Sequence, residues 1–198
     1  MIYENRIKKI KDSLKKYPYF EILGKGKRGE VYKISNGLVV KIKKDDSDAI
    51  DNIKNEYDIL MKLKIYDYFP KPVYFDKKLD YLIREFVDGV LIDKIIDKQI
   101  FIKALKMCRI LDKEKINQTE MTNPYKHIFV NKKNIKMIDF ERARISNNPK
   151  NVTQFLQYIY KKFGIRNDSI KNLAKKYKDN PTDSNFRAII KILKELII

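Results

Sequence analysis

The stretch Gly24-Lys25-Gly26-Lys27-Arg28-Gly29-Glu30-Val31 places three glycines at G-x-G-x-x-G spacing, with a valine two residues after the last glycine. The β-branched and aromatic residues on either side predict strands over 19–24 and 30–35. In a dinucleotide-binding turn the last glycine opens a helix, so this loop differs from that motif. A glycine loop between two strands can instead fold over phosphate groups with its backbone N–H groups unshielded by side chains.

The strand after this hairpin carries a lysine in an apolar setting. Asn36-Gly37 predicts a tight turn into a third strand over 38–43, because both residues accept positive φ. Lys41 lies within Leu38-Val39-Val40-Lys41-Ile42, and such a lysine is costly to bury without an anionic partner. An outward-facing lysine is the alternative, and it is common in a lysine-rich chain.

A helix predicted over 47–64 supplies a candidate partner for Lys41. Its packed face carries four apolar residues at helical spacing: Ala49, Ile53, Leu60 and Leu63. Glu56 falls within this stripe by i+3 and i+4 spacing. A carboxylate on the packed face of a helix needs a cation, so we predict an ion pair between Lys41 and Glu56.

Along the rest of the chain the pattern changes from strands to helices. A helix over 4–16 precedes the glycine loop, and extended runs over 72–76 and 80–86 follow the helix that carries Glu56. After Gly89 the periodicity predicts five helices, over 91–97, 100–114, 151–163, 168–178 and 183–197. This order predicts an α+β fold in two parts, with a hinge over 86–90.

One hairpin interrupts the helical part of the chain and pairs 127–131 with 135–139. A turn over 132–134 sets residue 131 opposite residue 135. Counted outward, this register places His127 opposite Asp139 at the open end of the hairpin. A hydrogen-bonded histidine at a strand end is the ordinary alternative for His127.

Length and composition exclude several classes of protein. The 198 residues are 43% hydrophobic, which argues against wholesale disorder. One cysteine and one histidine exclude a disulfide scaffold and a classical zinc site. The sequence has neither an apolar run of membrane-spanning length nor a signal-peptide core, so we expect a cytoplasmic protein with no membrane partner.

The net charge of +18 is concentrated in the second half of the chain. Residues 1–85 carry 20 basic and 14 acidic side chains, whereas residues 126–198 carry 17 and 6. Lysine supplies 36 of the 44 basic residues, which a compositional bias alone could explain. The alternative explanation is attraction to a polyanion such as RNA or a ribonucleoprotein, to a nucleotide, or to an acidic partner.

The glycine loop, the strand lysine and the helix glutamate, in this order, resemble the N-lobe of a protein kinase. The stretch from Tyr81 to Gly89 resembles the fifth strand and the hinge that hold adenine in that family. The resemblance implies a two-lobed, protein-kinase-like α+β fold, with an N-lobe over 1–85, the hinge over 86–90 and a reduced helical C-lobe over 91–198.

The resemblance implies ATP and Mg²⁺ as cofactors. The implied ATP-contacting residues comprise the glycine loop, two valines that sandwich adenine, the lysine–glutamate pair and the hinge: Gly24, Lys25, Gly26, Gly29, Val31, Val39, Lys41, Glu56, Glu85 and Val87. Lys41, held by Glu56, would orient the α- and β-phosphates. Arg84 takes the gatekeeper place before the hinge, so the pocket behind adenine would be closed or polar.

The implied metal ligands lie in the second part of the chain. Asp139-Phe140-Glu141 stands where kinases have Asp-Phe-Gly, and His127 stands where they usually have a metal-binding asparagine. The resemblance therefore implies that Asp139 binds Mg²⁺ together with His127 or Glu141. Lys126 could contact a transferred phosphoryl group.

The catalytic loop departs from the family pattern. Kinases carry H-R-D-x-x-x-x-N, whereas this chain has Gln118-Thr119-Glu120-Met121-Thr122-Asn123-Pro124-Tyr125-Lys126-His127. The residue five before His127 is Thr122, which cannot act as a carboxylate base, and Glu120 is the nearest acid. Glu120, Lys126 and Asp139 are therefore the candidate catalytic residues.

Short length and a reduced helical part resemble the small atypical kinases, namely the RIO kinases and the kinase subunit of the tRNA threonylcarbamoylation complex. The strings Pro-Tyr-Lys-His and Asp-Phe-Glu-Arg-Ala are similar to those of short archaeal chains classed as predicted serine/threonine kinases. The resemblance implies an ATP- and Mg²⁺-dependent phosphotransferase that acts as an atypical serine/threonine protein kinase. Two alternatives stay open: a nucleotide-binding pseudokinase that regulates a partner or docks on RNA through its basic C-lobe, and an ATPase.

Overall fold

The computed structural model describes residues 2–17, 19–26, 29–44, 52–121 and 123–197. The described chain combines six α-helices with a five-stranded antiparallel sheet and two smaller sheets, which confirms the predicted α+β class. Its contacts divide it into two compact units: Met1–Val87 with Ile138–Arg142, and Asp88–Met137 with Ala143–Ile198. No helix of this described chain is long and apolar enough to cross a lipid bilayer.

The first unit is built on the five-stranded sheet. Its elements are α1 (Ile2–Ser13), β1 (Phe20–Lys25), β2 (Gly29–Ile34), β3 (Leu38–Lys43), α2 (Asn52–Leu63), β4 (Pro72–Asp76) and β5 (Tyr81–Glu85). The strands lie in the order β1-β2-β3-β5-β4. Asn36 and Gly37 turn the β2–β3 hairpin with φ of 64° and 69°, as predicted. Ala49 of the predicted helix stripe lies outside the described residues.

The two faces of this sheet have different chemistry. Side chains paired across neighbouring strands point to the same face. One face buries an apolar cluster against α1: Ile10, Leu14, Tyr32, Ile34, Val40, Ile42, Tyr81 and Ile83. The register Val31↔Lys41↔Leu82 and Val39↔Arg84 puts two cations on the opposite face. Strand alternation therefore separates an apolar core from a charged face within one unit.

The second unit is mainly helical. Its elements are β6 (Val90–Leu91), α3 (Lys98–Lys113), β7 (Ile116–Asn117), β8 (Ile128–Asn131), β9 (Asn134–Met137), β10 (Arg144–Ile145), α4 (Asn151–Phe163), α5 (Asp168–Asp179) and α6 (Asp183–Ile197). The helix predicted over 91–97 is wrong, since Ile92–Lys94 forms only a 3₁₀ turn. The side chain of Asp97 accepts a hydrogen bond from the backbone N–H of Gln99, which starts α3 instead.

The predicted register of the β8–β9 hairpin is also wrong. Asn131 pairs with Asn134 and Ile128 pairs with Met137, so the turn has two residues rather than three. Lys132 makes this short turn with a left-handed φ of 54°, although it is neither glycine nor asparagine. A shift of one residue removes the predicted pairing of His127 with Asp139, because both lie outside the paired strands.

A buried hydrogen-bond network joins the helices of the second unit. The carboxylate of Asp112 on α3 accepts hydrogen bonds from the Asn151 side-chain Nδ2 at 2.7 Å and from the Tyr177 hydroxyl at 2.8 Å. Asn151, at the start of α4, also donates to the carbonyl of Ile116 at 2.7 Å. Burial raises the pKa of Asp112, although the bonds from Tyr177 and Asn151 act in the opposite direction.

We expect Asp112→Ala to lower the free energy of unfolding by about 2–3 kcal/mol, because it leaves buried donors of Asn151 and Tyr177 without an acceptor. Urea denaturation followed by circular dichroism measures this change. Asp179→Ala, at an exposed position on α5, is the control and should change stability by less than about 0.5 kcal/mol. Equal stability of the two variants would show that the network does not hold the helices together.

Candidate functional site

The glycine loop lies between β1 and β2, and close packing explains some of its glycines but not others. A Cβ on Gly29 would lie 2.6 Å from the carbonyl oxygen of Ile42 on β3, so strand packing requires glycine there. At Gly24 no described atom lies within 4 Å of an added Cβ, and at Gly26 the nearest lies at 3.4 Å. Packing among the described residues therefore accounts for Gly29 but does not account for Gly24. Lys27 and Arg28 lie outside the described residues.

Hydrogen bonds close the described part of this loop. The backbone N–H of Gly26 donates to the carbonyl of Gly29 at 2.8 Å, and Lys44 Nζ donates to the carbonyl of Gly26 at 2.9 Å. Lys25 lies 3.9 Å from Glu30, a buried carboxylate that also accepts a hydrogen bond from the Tyr32 hydroxyl at 2.6 Å. Lys25 thus has an acidic neighbour beside the loop.

The predicted ion pair between Lys41 and Glu56 is confirmed. Lys41 Nζ lies 2.6 Å from Glu56 Oε2, and the Glu56 side chain is fully buried. Two further carboxylates approach the same ammonium group: Asp139 Oδ1 at 3.0 Å and Glu141 Oε2 at 3.1 Å. Three acidic side chains therefore surround one buried lysine within the first unit. We call Lys41, Glu56, Asp139 and Glu141 the lysine cluster.

The charges of the lysine cluster decide the protonation of its lysine. Burial alone lowers the pKa of Lys41, but the charges of Glu56, Asp139 and Glu141 together overcome this effect and raise the pKa above its ordinary value of 10.5. Because the pKa of Lys41 is raised in the folded state, its protonated form stabilises that state. This stabilisation is fully present at neutral pH and is lost only as the pH rises beyond the ordinary lysine range. Lys41 is therefore a permanent cation under physiological conditions.

Contacts from α2 hold the segment that carries Asp139. Asn55 Nδ2 donates to the carbonyl oxygens of Phe140 at 3.2 Å and Glu141 at 3.1 Å. The Phe140 ring is fully buried and meets the Phe69 ring edge-on, with centroids 5.6 Å apart. Asp139 itself has a left-handed φ of 71°, which is uncommon outside glycine. The role of Asn55 was not predicted from the sequence. Its position next to Glu56 on the same helix was the signal that could have indicated it.

Arg84 gives Glu56 a second cationic neighbour. The guanidinium is buried on β5, with its Nε 3.4 Å from Glu56 Oε1, while Nη1 donates to the carbonyl of Glu85 at 3.0 Å. The position predicted to be the gatekeeper is therefore occupied by a buried, charged side chain. Glu56 lies between two cations, which offsets the cost of burying its own charge.

Glu85 ends β5, and the predicted hinge over 86–90 follows it directly. The backbone N–H of Glu85 donates to the carbonyl of Lys71 at 2.9 Å, and that of Phe86 donates to the carbonyl of Gly37 at 2.8 Å. Val87 is half-buried at the end of this unit. Val31 and Val39 lie on the same face of the sheet as Lys41, so the structure brings these three predicted residues together.

The lysine cluster brings three carboxylate groups close together. One carboxylate oxygen from each of Glu56, Asp139 and Glu141 lies within 4.8 Å of the other two. Mg²⁺ and Ca²⁺ take oxygen ligands of this kind, and they bind through carboxylates. Of the three predicted metal residues, Asp139 and Glu141 therefore lie together, whereas His127 belongs to the second unit.

In the second unit, two of the predicted residues contact each other. His127 Nε2 lies 2.7 Å from Glu120 Oε2, and both side chains are partly exposed. His127 ends the 3₁₀ turn Pro124–Lys126, and the exposed Lys126 has its Nζ 5.8 Å from the centre of the Tyr125 ring. Thr122 lies outside the described residues. Both Glu120 and His127 were singled out from the sequence, but their mutual contact was not.

We expect Lys41→Met to lower the free energy of unfolding by about 3–5 kcal/mol at neutral pH, because three carboxylates then share a buried site without their ammonium partner. The loss should shrink on acidification towards about pH 4, as protonation removes the carboxylate charges. Denaturant unfolding at both pH values measures this. Lys43→Met is the control on the same strand, because among the described residues Lys43 forms a single ion pair, with Asp80 at 3.9 Å. If Lys41→Met lowered the free energy of unfolding by the same amount at both pH values, that would contradict the role given to the three carboxylates.

No protein-family model matches the chain, and no curated protein matches it. Any function assigned to the chain therefore rests on its residues and on the geometry described above.

Proposed function

We propose that the chain is an ATP- and Mg²⁺-dependent phosphotransferase with a kinase-like, two-lobed arrangement, acting on serine or threonine hydroxyls of a protein. In this proposal the first unit is the N-lobe and the second unit is the C-lobe. The observation that supports it best is Lys41 with its Nζ 2.6 to 3.1 Å from Glu56, Asp139 and Glu141. Lys41, Glu56 and Asp139 are the residue types, in chain order, that the kinase resemblance predicts at a nucleotide and metal site, whereas Glu141 stands where that family has glycine.

Charge neutralisation is the main task of such a site. Phosphoryl transfer needs positioning and electrostatic stabilisation more than covalent chemistry. Lys41 would contact the α- and β-phosphates, since it is a permanent cation on the same sheet face as Val31 and Val39. Glu56 would keep the ammonium in place, because its buried carboxylate lies between Lys41 and Arg84.

Asp139 and Glu141 would hold the Mg²⁺ ion. Their carboxylate oxygens lie within 4.8 Å of each other and are hard ligands of the kind that Mg²⁺ binds. Held by these two carboxylates, Mg²⁺ would supply positive charge that neutralises the negative charge of a bound phosphate group. The hydrogen bonds from Asn55 to the carbonyls of Phe140 and Glu141 would fix both ligands on one rigid segment.

The acceptor end of the reaction would lie in the second unit. Glu120 would orient the acceptor hydroxyl, and the exposed Lys126 would contact the transferred phosphoryl group. His127 would be held by Glu120 at the observed 2.7 Å. The same contact also supports a second candidate function, a nucleotide-binding pseudokinase. Thr122 stands where kinases have the catalytic aspartate, and the nearest acid, Glu120, is already engaged by His127.

We expect the purified protein, given γ-labelled ATP, Mg²⁺ and generic acceptor proteins, to label itself or an acceptor in a Mg²⁺-dependent reaction. Asp139→Asn should lower the rate at least about 100-fold, since it removes the carboxylate charge with little change in volume. Asp80→Asn is the matched control, because Asp80 is also an aspartate with a left-handed φ in the same unit, of 51° against 71° for Asp139. Glu120→Gln should lower the rate by about 10²–10⁴-fold if Glu120 is the base.

The labelled products separate the candidate functions. Labelled protein supports the phosphotransferase, whereas free labelled phosphate without labelled protein supports an ATPase. Nucleotide binding without either product supports the pseudokinase. Absence of binding and of both products would overturn all three, as would equal activity of Asp139→Asn and Asp80→Asn.

A further inference from the structure

A pocket in the second unit lies between the 3₁₀ turn Pro124–Lys126 and helix α4. Its volume of about 460 Å³ falls in the range of roughly 300–1,000 Å³ that is typical of small-molecule sites. Among the residues that line it in the described part of the chain, none is assigned to phosphotransfer above. The pocket therefore needs an explanation of its own.

Two aromatic rings line this pocket. Tyr125 and Tyr158 have ring centroids 6.5 Å apart and planes tilted by 32°, and both rings are partly exposed. The Tyr158 ring is supported from behind by Phe155 and Phe101, at 5.7 and 6.4 Å between centroids. Burial raises the pKa of Tyr158 to about 12, so its hydroxyl stays uncharged at neutral pH. Supported, neutral rings of this kind offer a flat aromatic ligand a stacking surface.

Three side-chain amides add hydrogen-bonding groups to the pocket wall: Asn123, Gln154 and Gln157. The Oε1 atom of Gln154 is buried and has no hydrogen-bond partner among the described residues. A buried acceptor without a partner is unfavourable until a donor reaches it. An amino or imino group on the edge of a bound ring would supply that donor once the Gln154 side-chain amide turns towards the pocket.

Two lysines add positive charge to the pocket wall. Lys161 and Lys162 line it at the end of α4, and Lys161 is exposed. Lys162 lies over the Phe101 ring at 5.5 Å and donates to the carbonyl of Asp93 at 2.6 Å. Residues 143–167 of this unit contain five basic side chains and no acidic one. A ligand that combines an aromatic ring with negative charge fits these surroundings.

We propose that this pocket binds a nucleotide unit of single-stranded nucleic acid. The base would stack on Tyr125 or Tyr158, its edge would donate to Gln154, and Lys161 would contact the adjoining phosphate. Stacking platforms combined with basic residues are the chemistry by which proteins bind single strands. A strand is favoured over a free mononucleotide because the sequence that includes α4, residues 143–167, carries five basic side chains and no acidic one, which is more positive charge than one nucleotide needs. This binding does not depend on the proposed phosphotransfer.

The test is fluorescence anisotropy with a labelled oligouridine of about 10 nucleotides at about 50 mM salt, without ATP or Mg²⁺. Tyr125→Ala should weaken binding about 10-fold through lost stacking. Lys161→Ala should weaken binding and lower the slope of log affinity against log salt by about 1. Lys175→Ala, an exposed lysine on α5 in the same unit, is the charge-matched control and should bind within about twofold of wild type.

Several results would overturn the proposal. Absence of binding at low salt would do so, and so would equal losses in Lys161→Ala and Lys175→Ala, which would show diffuse attraction to lysine. If an equal concentration of free uridine monophosphate displaced the oligouridine, the ligand would be a mononucleotide rather than a strand, which would overturn the proposal. If Tyr125→Ala fails to fold, the exposed Gln157→Ala serves instead, and weaker binding is again expected. Because the assay contains neither ATP nor Mg²⁺, its outcome does not depend on the phosphotransfer proposal.

Discussion

The burial of one ammonium group governs the organisation of the first unit. An isolated charge inside a protein is strongly unfavourable, so Lys41 on β3 requires the carboxylates that surround it. Those carboxylates come from α2 and from the segment Ile138–Arg142, which joins this unit although its neighbours in sequence belong to the other. The segment is fixed further by Asn55 and by the burial of Phe140. Electrostatic and apolar contacts thus hold the same five residues in place.

The sheet makes this arrangement available because its two faces differ. Alternate residues of β3 point in opposite directions, so Val40 and Ile42 enter the apolar cluster under α1 while Val39 and Lys41 face the other way. Arg84 on the neighbouring strand shares the charged face. A site for phosphate and metal could therefore be built on a rigid sheet without disturbing the core, which is the physical basis of the proposed phosphotransfer.

The parts of the structure that could be predicted are those that local sequence patterns determine. The pair Lys41–Glu56 follows from a carboxylate at helical spacing within an apolar stripe, because burial demands a counter-charge. The β8–β9 register could not be predicted, since Lys132 takes a left-handed φ without the residue types that usually mark such a turn. Contacts between residues distant in sequence, such as Lys41 with Asp139 or the rings of Tyr125 and Tyr158, leave no periodic signal in a single sequence.

We propose that the lysine cluster binds a nucleotide together with a divalent cation. Calorimetric titration of ATP with and without Mg²⁺, on the wild-type protein and on Glu141→Gln, tests it most directly. The account predicts that Mg²⁺ strengthens ATP binding to the wild type, and that Glu141→Gln reduces this strengthening while leaving ATP binding without Mg²⁺ equal or tighter, because one carboxylate is lost. ATP binding that is unaffected by Mg²⁺, or absent in both conditions, would contradict the account.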